Sequence, residues 1–299
     1  MMWMPADIPD QHGRTIVVTG AYGGLGTVVT RELAARGATV VMAGRDGERA
    51  LAAAGRYSGS VVFEPLDLAD LGSTRRFARR CPEFDVLINN AALMNVPFAR
   101  TQDGFEMQFG VNHLGHFALT TLLLDRIRDR VVSVSSISHT WLRTLRIDDL
   151  NYVRRRYSRS GAYAQSKLAT LLFARELQHR LAESGSTVRS YAVHPGISPT
   201  GLVARTGTPV DRIAEPAIRL VGQTREQAAH ALLFAATAPD ADPGTYWGPT
   251  RLFNTRGPVA AAPSSALSRD PVLRRLLWEA SEHATGLRYP AAPTTAETP

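Results

Sequence analysis

The sequence contains very little cysteine, and it has no long hydrophobic run. Cys81 is the only cysteine among 299 residues, so an internal disulfide bond is excluded, and such a chain suits a reducing compartment. No apolar stretch approaches the ~20 residues that a membrane-spanning helix requires. The N-terminal stretch also lacks the basic region and apolar core of a secretory signal. These absences predict a cytoplasmic protein with no membrane partner, in which Cys81 packs near the end of a helix.

Lysine is almost absent as well. Lys167 is the only lysine, and the other 33 of the 34 basic residues are arginines. Because ammonium and guanidinium groups differ in shape, hydration and pKa, the lone lysine indicates a position that needs a compact ammonium group. The net charge of +7 is spread along the chain, and its densest cluster lies at residues 154–159. A solvated basic face, or attraction of an anionic cofactor, explains this charge better than nucleic-acid binding, which we do not expect.

The residues around Lys167 have the pattern of a helix. No glycine or proline interrupts residues 162–183, and leucines recur near the helical period. Tyr163 lies four residues before Lys167, so both side chains project from one face. A neighbouring cation favours phenolate and should lower the tyrosine pKa from its usual ~10, which makes the pair a candidate proton donor. The alternative interpretation is an unrelated pair of surface side chains.

A glycine-rich turn follows the first predicted strand. Residues 14–19 form a β-branched run, the stretch Gly20-Ala-Tyr-Gly-Gly-Leu-Gly26 comes next, and a helix over residues 27–36 follows. Glycine allows the backbone to turn tightly and to approach a pyrophosphate, which then lies at the N-terminus of the helix. With a second strand at residues 38–43, the βαβ unit is complete and predicts a dinucleotide site.

The end of the second strand bears on the choice of nucleotide. NAD sites usually carry a carboxylate at this place, where it binds the ribose hydroxyls. This chain has Gly44 and Arg45 instead, and an arginine favours a 2′-phosphate. We therefore expect NADP(H) and regard NAD(H) as the less favoured cofactor. An exposed loop arginine is the alternative interpretation of Arg45.

Strands and helices continue to alternate along the chain. Further strands are predicted at residues 60–65, 84–89, 130–135, 187–193 and 246–253, and further helices at residues 70–80, 103–126, 224–238 and 269–285. The alternation predicts an α/β fold, a single domain over residues 8–288 with a doubly wound, mostly parallel sheet (Rossmann fold). Residues 1–7 and 289–299 are interpreted as flexible tails, and residues 197–223 as a lid over the substrate or a surface excursion.

Together these motifs resemble those of the short-chain dehydrogenase/reductase family. The matching stretches, in the family's order and spacing, are the glycine turn, Asn89 to Ala92, Ser135-Ser136, Tyr163-x-x-x-Lys167 and Pro195-Gly196. The resemblance covers about residues 10–288, and residues 103–117 resemble the retinol-dehydrogenase-like branch and its bacterial relatives.

The resemblance implies a role for each matching residue. Tyr163 would be the general acid in carbonyl reduction and the base in alcohol oxidation, and Lys167 would bind the nicotinamide ribose. Ser136 would hydrogen-bond the substrate oxygen, and Asn112 would help hold a water that links Lys167 to solvent. The residues implied in cofactor binding are Gly20, Tyr22, Gly24, Leu25, Gly26, Arg45, Asp67, Leu68, Asn89, Ala91, Tyr163, Lys167, Pro195, Gly196, Ile197 and Thr200. No metal ion is implied.

The chain departs from the family pattern in the glycine turn. Relatives usually carry Asn-Ser or Asn-Thr where this chain has Tyr22-Gly23. Two polar side chains near the adenosine ribose are therefore absent, which leaves Arg45 as the main candidate for the 2′-phosphate. Ala92 also replaces a glycine of the family pattern.

These observations predict an NADP(H)-dependent oxidoreductase that moves a hydride between nicotinamide and a hydrophobic carbonyl or alcohol substrate. Met94, residues 138–145 and residues 197–223 would build the substrate pocket, and they carry few directing charges. The rival hypothesis is a dinucleotide-sensing regulator without turnover, which usually goes with loss of the tyrosine or lysine. Relatives pair through their long helices, so a homo-oligomer is compatible with the resemblance.

Overall fold

The computed structural model describes residues 3–198 and 222–289. Most of the predicted lid, Thr200 and the C-terminal tail after residue 289 lie outside these ranges. Within the N-terminal stretch, Trp3 packs edge-on against Phe234, with ring centroids 5.6 Å apart. None of the helices in the described ranges combines the length and apolarity needed to cross a membrane.

One eight-stranded sheet forms the centre of the described chain. Its strands are β1 (Thr15–Thr19), β2 (Thr39–Gly44), β3 (Val61–Pro65), β4 (Phe84–Asn89), β5 (Ile127–Val134), β6 (Arg189–Val193), β7 (Tyr246–Arg251) and β8 (Arg256–Ala261). The strand order is β3-β2-β1-β4-β5-β6-β7-β8. Strands β1 to β7 run parallel, and only β8 pairs antiparallel, with β7. This order confirms the predicted doubly wound sheet, with its switch point between β1 and β4.

Helices cover both faces of this sheet. They are α1 (Gly24–Ala34), α2 (Gly47–Ala54), α3 (Leu71–Arg80), α4 (Met107–Phe109), α5 (Gly115–Leu123), α6 (Arg159–Glu183), α7 (Arg225–Thr237), α8 (Ala266–Arg269) and α9 (Pro271–Thr285). Successive side chains of β1 point to opposite faces of the sheet, as in any pleated strand. Ile16 and Val18 pack with α1 and α7 on one side, whereas Val17 packs with α3, α5 and α6 on the other.

The prediction of one long helix over residues 103–126 is wrong in two respects, because the helix begins later and is interrupted. Asp103 accepts a hydrogen bond from the backbone N–H of Leu71 at 2.9 Å, so it belongs to the loop before the helix. Glu106 caps α4 by accepting from the N–H groups of Gln108 and Phe109. A π-helical turn over Gly110–Leu114 then separates α4 from α5. Residues 108–120 are all buried, so their apolar pattern has no one-sided period from which this wider turn could be predicted.

Three further elements, helix α2, strand β8 and the short helix α8, were not predicted from the sequence. Helix α2 follows β2 directly, with the Asp46 carboxylate accepting from the N–H of Arg49 at its start. Strand β8 follows a turn in which Leu252, Phe253 and Asn254 all have positive φ. Its sequence Arg-Gly-Pro-Val-Ala-Ala has little intrinsic preference for a strand, so its conformation depends on pairing with β7. At the start of α7, Thr224 and Gln227 form a capping box, in which each side chain accepts a hydrogen bond from the other residue's backbone N–H.

Candidate active site

A cavity of about 760 Å³ opens at the carboxyl ends of the parallel strands. Most of the predicted site residues line it, namely Gly20, Tyr22, Gly24, Leu25, Arg45, Asp67, Leu68, Ala91, Ser136, Tyr163, Lys167, Pro195, Gly196 and Ile197. These residues come from the loops after β1 to β6, from the start of α1 and from α6. Parallel strands all end at one edge, so residues far apart in the sequence meet there.

The glycine turn forms one wall of the cavity. Gly20 and Gly24 have φ values of 65° and 50°, which L side chains rarely adopt. Gly26 lies behind this wall, where an added Cβ would stand 2.2 Å from the carbonyl oxygen of Gly20. Gly26 therefore permits close packing of α1 against the turn and does not itself line the cavity. Open backbone at the N-terminus of α1 fits the pyrophosphate of a dinucleotide.

Buried polar side chains hold the neighbouring strand ends together. The Thr19 hydroxyl accepts hydrogen bonds from the N–H groups of Asn90 and Ala91, both at 2.9 Å. The Asn90 side chain donates to the carbonyl oxygen of Thr19 at 2.8 Å, which ties β4 to β1. Asn89 is buried and donates to Thr120 of α5 at 3.0 Å. Asn89 thus supports the strand end from behind, and it lies outside the cavity lining.

Ser136, Tyr163 and Lys167 meet on another wall. Ser136 follows β5, and its hydroxyl accepts from the N–H of Ser138 at 3.2 Å. The Lys167 ammonium lies 5.8 Å from the centroid of the Tyr163 ring and donates to the carbonyl oxygen of Val134 at 2.8 Å. Both Tyr163 and Lys167 are almost fully buried. The three groups that the sequence predicted to act together therefore line one part of the cavity.

The predicted lowering of the tyrosine pKa is wrong in this structure. Burial raises the pKa of Tyr163 to about 12, and a hydrogen bond with Ser136 offsets part of that rise. Burial also lowers the pKa of Lys167 to about 7. The spacing of Tyr163 and Lys167 in the sequence reveals only the attraction between the two groups. In the folded chain the loss of water around each group is the larger effect.

Asn112 lies in the π-helical turn beside this wall. Its side chain accepts from the N–H of Leu93 at 2.7 Å and donates to the Leu93 carbonyl oxygen at 2.8 Å. The side chain also donates to the hydroxyl of Ser166 at 2.9 Å. The main-chain carbonyl oxygen of Asn112 accepts a hydrogen bond from the Thr170 hydroxyl at 3.3 Å. The side chain of Asn112 therefore joins the loop after β4 to helix α6, and it does not line the cavity.

His139 is a supporting residue that the sequence did not single out. Its Nδ1 lies 2.6 Å from the carbonyl oxygen of Ser136, and its Nε2 accepts from the N–H of Ser265 at 3.1 Å. An imidazole that accepts at Nε2 is neutral and carries its proton on Nδ1, which donates to Ser136. His139 thereby connects the C-terminal segment to the serine at the end of β5. The sequence signal was its position three residues after Ser136.

The rest of the cavity is predominantly apolar. Of the predicted substrate pocket, Met94, Ser138 and Trp141 line the cavity, whereas Leu142 and Leu145 pack into a hydrophobic cluster with α6. The hydroxyl of Ser138 is buried and has no hydrogen-bond partner within the described residues.

Several lining residues were not predicted as site residues. They are Gly23, Thr27, Ala43, Gly44, Arg49, Leu66, Asn90, Ala92, Leu93, Val111, Val134, Ser135, Ile137 and Arg225. Most of them are immediate neighbours of predicted residues at the strand ends. Two exceptions are Arg49, which lies in the unpredicted helix α2, and Arg225, which lies at the start of α7.

Comparison with known proteins agrees with this geometry. The pattern of the short chain dehydrogenase family matches residues 14–142. The chain is 40% identical over 298 residues to human retinol dehydrogenase 13, covering 93% of this chain and 86% of that protein. It is 38% identical over 301 residues to polyprenol dehydrogenase from Danio rerio, covering 94% of this chain and 90% of that protein. The solved structure of an uncharacterized protein from Mycobacterium paratuberculosis is 45% identical, with a TM-score of 0.85 over 97% of this chain and 100% of that one. The chain belongs to the short-chain dehydrogenase/reductase family, in its retinol-dehydrogenase-like branch.

Proposed function

We propose that this protein is an NADP(H)-dependent oxidoreductase that interconverts hydrophobic alcohols and their carbonyl compounds. The observation that carries the proposal is the meeting of Ser136, Tyr163 and Lys167 on one wall of a cavity whose other wall is the glycine turn. When bound, the nicotinamide supplies or accepts the hydride. The chain's own residues would bind the cofactor, orient the substrate and transfer the proton.

Tyr163 is the proton donor for carbonyl reduction and the acceptor for alcohol oxidation. With its pKa raised to about 12, the phenol keeps its proton at neutral pH and is ready to donate it in reduction, whereas its role as acceptor in oxidation requires the phenolate. The Ser136 hydroxyl, which already forms a hydrogen bond with Tyr163, holds the substrate oxygen beside the phenol. Lys167 binds the ribose hydroxyls of the nicotinamide half of the cofactor. Positioning of this kind is worth a factor of ~10² to 10⁴ in rate.

The composition of the cavity supports a hydrophobic substrate. Leu93, Met94, Ile137 and Trp141 line it, and they offer apolar contact without a charged partner. The relatives named as retinol and polyprenol dehydrogenases act, by their names, on apolar alcohols. We therefore infer a bulky apolar alcohol or aldehyde as the substrate class.

The site residues give the cofactor preference a physical basis. Arg45 is exposed and lines the cavity beside Gly44, at the end of β2. No carboxylate occupies position 44, where an NAD site would carry one. We expect NADPH to bind at least ~10-fold more tightly than NADH, which corresponds to ~1.4 kcal/mol. Isothermal titration with both nucleotides measures this preference.

The decisive experiment is turnover with the Tyr163→Phe variant. NADPH oxidation should be detectable with retinal or another apolar aldehyde, and loss of the hydroxyl should lower kcat by ~10² or more. Tyr191→Phe is the matched control, because it removes a buried tyrosine hydroxyl that bonds to Ala241, outside the cavity lining. Wild-type protein that binds NADPH without turning over any carbonyl compound would favour the regulator hypothesis. If Tyr163→Phe retained over half the wild-type rate, a group other than Tyr163 would have to transfer the proton.

A further inference from the structure

The loop after β4 carries part of the apolar wall of the cavity. Leu93 and Met94 line the cavity, and the next residue, Asn95, has a φ of 56°. A residue other than glycine rarely adopts this left-handed conformation, so its surroundings must stabilise it. The position of the apolar wall therefore depends on hydrogen bonds that other parts of the chain make to this loop.

Gln108 of α4 connects this loop to helix α6. The side chain is fully buried, and its Oε1 accepts a hydrogen bond from the N–H of Asn95 at 2.8 Å. Its Nε2 donates to the carbonyl oxygen of Arg159 at 2.9 Å. Arg159 is the first residue of α6 and lies about one turn before Tyr163. One amide thus joins the loop that carries Met94 to the start of the helix that carries Tyr163.

Glu106 and Tyr157 fix the orientation of this amide. The Glu106 carboxylate is fully buried and accepts hydrogen bonds from the N–H groups of Gln108 at 2.9 Å and Phe109 at 2.7 Å. The Tyr157 hydroxyl lies 3.0 Å from the same carboxylate and 3.1 Å from the carbonyl oxygen of Val96. Both groups are acceptors, so the phenol gives its proton to them and accepts from the Gln108 Nε2 at 2.9 Å. The amide nitrogen must therefore face the phenol, and the amide oxygen must face the loop.

Capping of α4 does not account for the Gln108 side chain. Glu106 alone satisfies the first N–H groups of this helix, as a capping side chain does elsewhere. The side-chain amide of Gln108 adds nothing to that cap, because its bonds go to the loop and to α6. Glu106, Gln108 and Tyr157 also lie outside the cavity lining. They can therefore act on a substrate only through the groups that they hold.

We propose that Gln108 is a positioning residue that sets the distance between Met94 on the apolar wall and the phenol of Tyr163. Glu106 and Tyr157 hold its amide in the orientation that this role requires. The inference rests on the proposed function and concerns which substrates the site accepts. A bulky apolar aldehyde must contact the apolar wall while its oxygen reaches Tyr163, whereas a short aldehyde reaches the phenol without that wall. The spacing that Gln108 maintains therefore favours bulky substrates over short ones.

Kinetics with a bulky and a short aldehyde test this role. Gln108→Met keeps the length of the side chain but removes the hydrogen bonds of its amide. The KM for retinal should rise ~10-fold or more, whereas kcat/KM for propanal and the affinity for NADPH should change less than ~2-fold. Tyr157→Phe is a milder second variant that loses only the hydroxyl, and it should raise the KM for retinal by ~2- to 3-fold.

Gln11→Met is the matched control. Gln11 is also a fully buried glutamine, and its amide donates to the carbonyl oxygens of Pro9 and Asp10 at 2.9 and 3.2 Å. None of these residues lines the cavity. This variant therefore reports the effect of losing a buried amide at a place that does not touch the site.

The outcomes separate this inference from the proposed function. A wild type that turns over neither aldehyde would overturn the proposed function and the inference with it. Turnover by the wild type, with an unchanged KM for retinal in Gln108→Met and Tyr157→Phe, would overturn only the inference. An equal loss for both aldehydes would also overturn it, as would the same loss in Gln11→Met, because the amide would then matter only for stability. Melting temperatures of all variants identify such a general loss.

Discussion

Lys167 donates a hydrogen bond from its Nζ to the main-chain carbonyl oxygen of Val134, at 2.8 Å. Both residues line the cavity, and the lysine side chain reaches across from α6 to the end of β5. The only lysine of the chain is therefore a nearly buried group at the site. A compact ammonium, which the composition predicts for this position, fits so confined a location.

Replacement of Lys167 by arginine should abolish most of the turnover although the charge is retained. The planar guanidinium is larger than an ammonium and requires a different arrangement of acceptors. Crowding beside Tyr163 should displace the ribose, and a shift of ~1 Å at the reacting atoms can cost ~10²-fold in rate. Steady-state kinetics and NADPH affinity should be measured together. Near-wild-type turnover would show that only the charge of Lys167 matters.

The stability of the protein should depend on pH through Lys167. Its pKa is lowered from 10.5 to about 7 by burial, so between these values the unfolded chain binds more protons than the folded one. The free energy of unfolding should then rise as the pH increases from 7 toward 10. We would compare urea unfolding of the wild type and of Lys167→Met at pH 7 and at pH 9. The wild type should gain more stability than the variant, and equal gains would refute the prediction.

Gly44 and Tyr22 should show strong energetic coupling. Gly44→Ala places a Cβ 2.3 Å from the Tyr22 hydroxyl, so the phenol must move, and we expect a loss of ~1–3 kcal/mol in stability, as for other overpacked sites. Tyr22→Ala removes the obstruction, and adding Gly44→Ala to it should then cost little. A double-mutant cycle from thermal unfolding measures the coupling. Additive effects of the two substitutions would mean that the Tyr22 ring moves aside without an energetic cost.

Asn112→Ala should destabilise the protein more than a typical surface substitution. The side chain forms three buried hydrogen bonds, with the N–H and C=O of Leu93 and with Ser166. Its removal leaves these groups without partners, at a cost of ~1–3 kcal/mol for each one that water cannot reach. Because Leu93 lines the cavity, cofactor affinity should fall as well. An unchanged melting temperature would contradict this reading of the hydrogen bonds.

The sequence alone predicted the architecture well because the relevant signals are local. Alternating apolar strands and amphipathic helices specify a parallel sheet, and glycines between β1 and α1 specify a tight turn. Strand β8 and helix α2 escaped prediction for the opposite reason. The strand depends on its pairing with β7, and the helix is short and largely exposed.

The sequence predicted which residues form the candidate site, but it did not predict how burial changes their pKa values. Tyr163 and Lys167 were identified by their spacing and Ser136 by the resemblance to the family, and the structure brings the three together. The direction of the shift in the Tyr163 pKa was predicted wrongly, because the degree of burial that causes the shift is a property of the whole fold. Thr200 lies outside the described residues, so its assignment to the cofactor stays a prediction.

What the sequence determined by itself is the succession of β1 to β7 and most helices along the chain, the glycine turn and the residues that reach the ends of the strands. These follow from the local preferences of neighbouring residues and from the fact that parallel strands end at one edge. Only the tertiary structure decided that Tyr22 fills the space beside Gly44 and that Asn112 joins the β4 loop to α6. Such contacts join separate elements, and their distances depend on how those elements pack against one another.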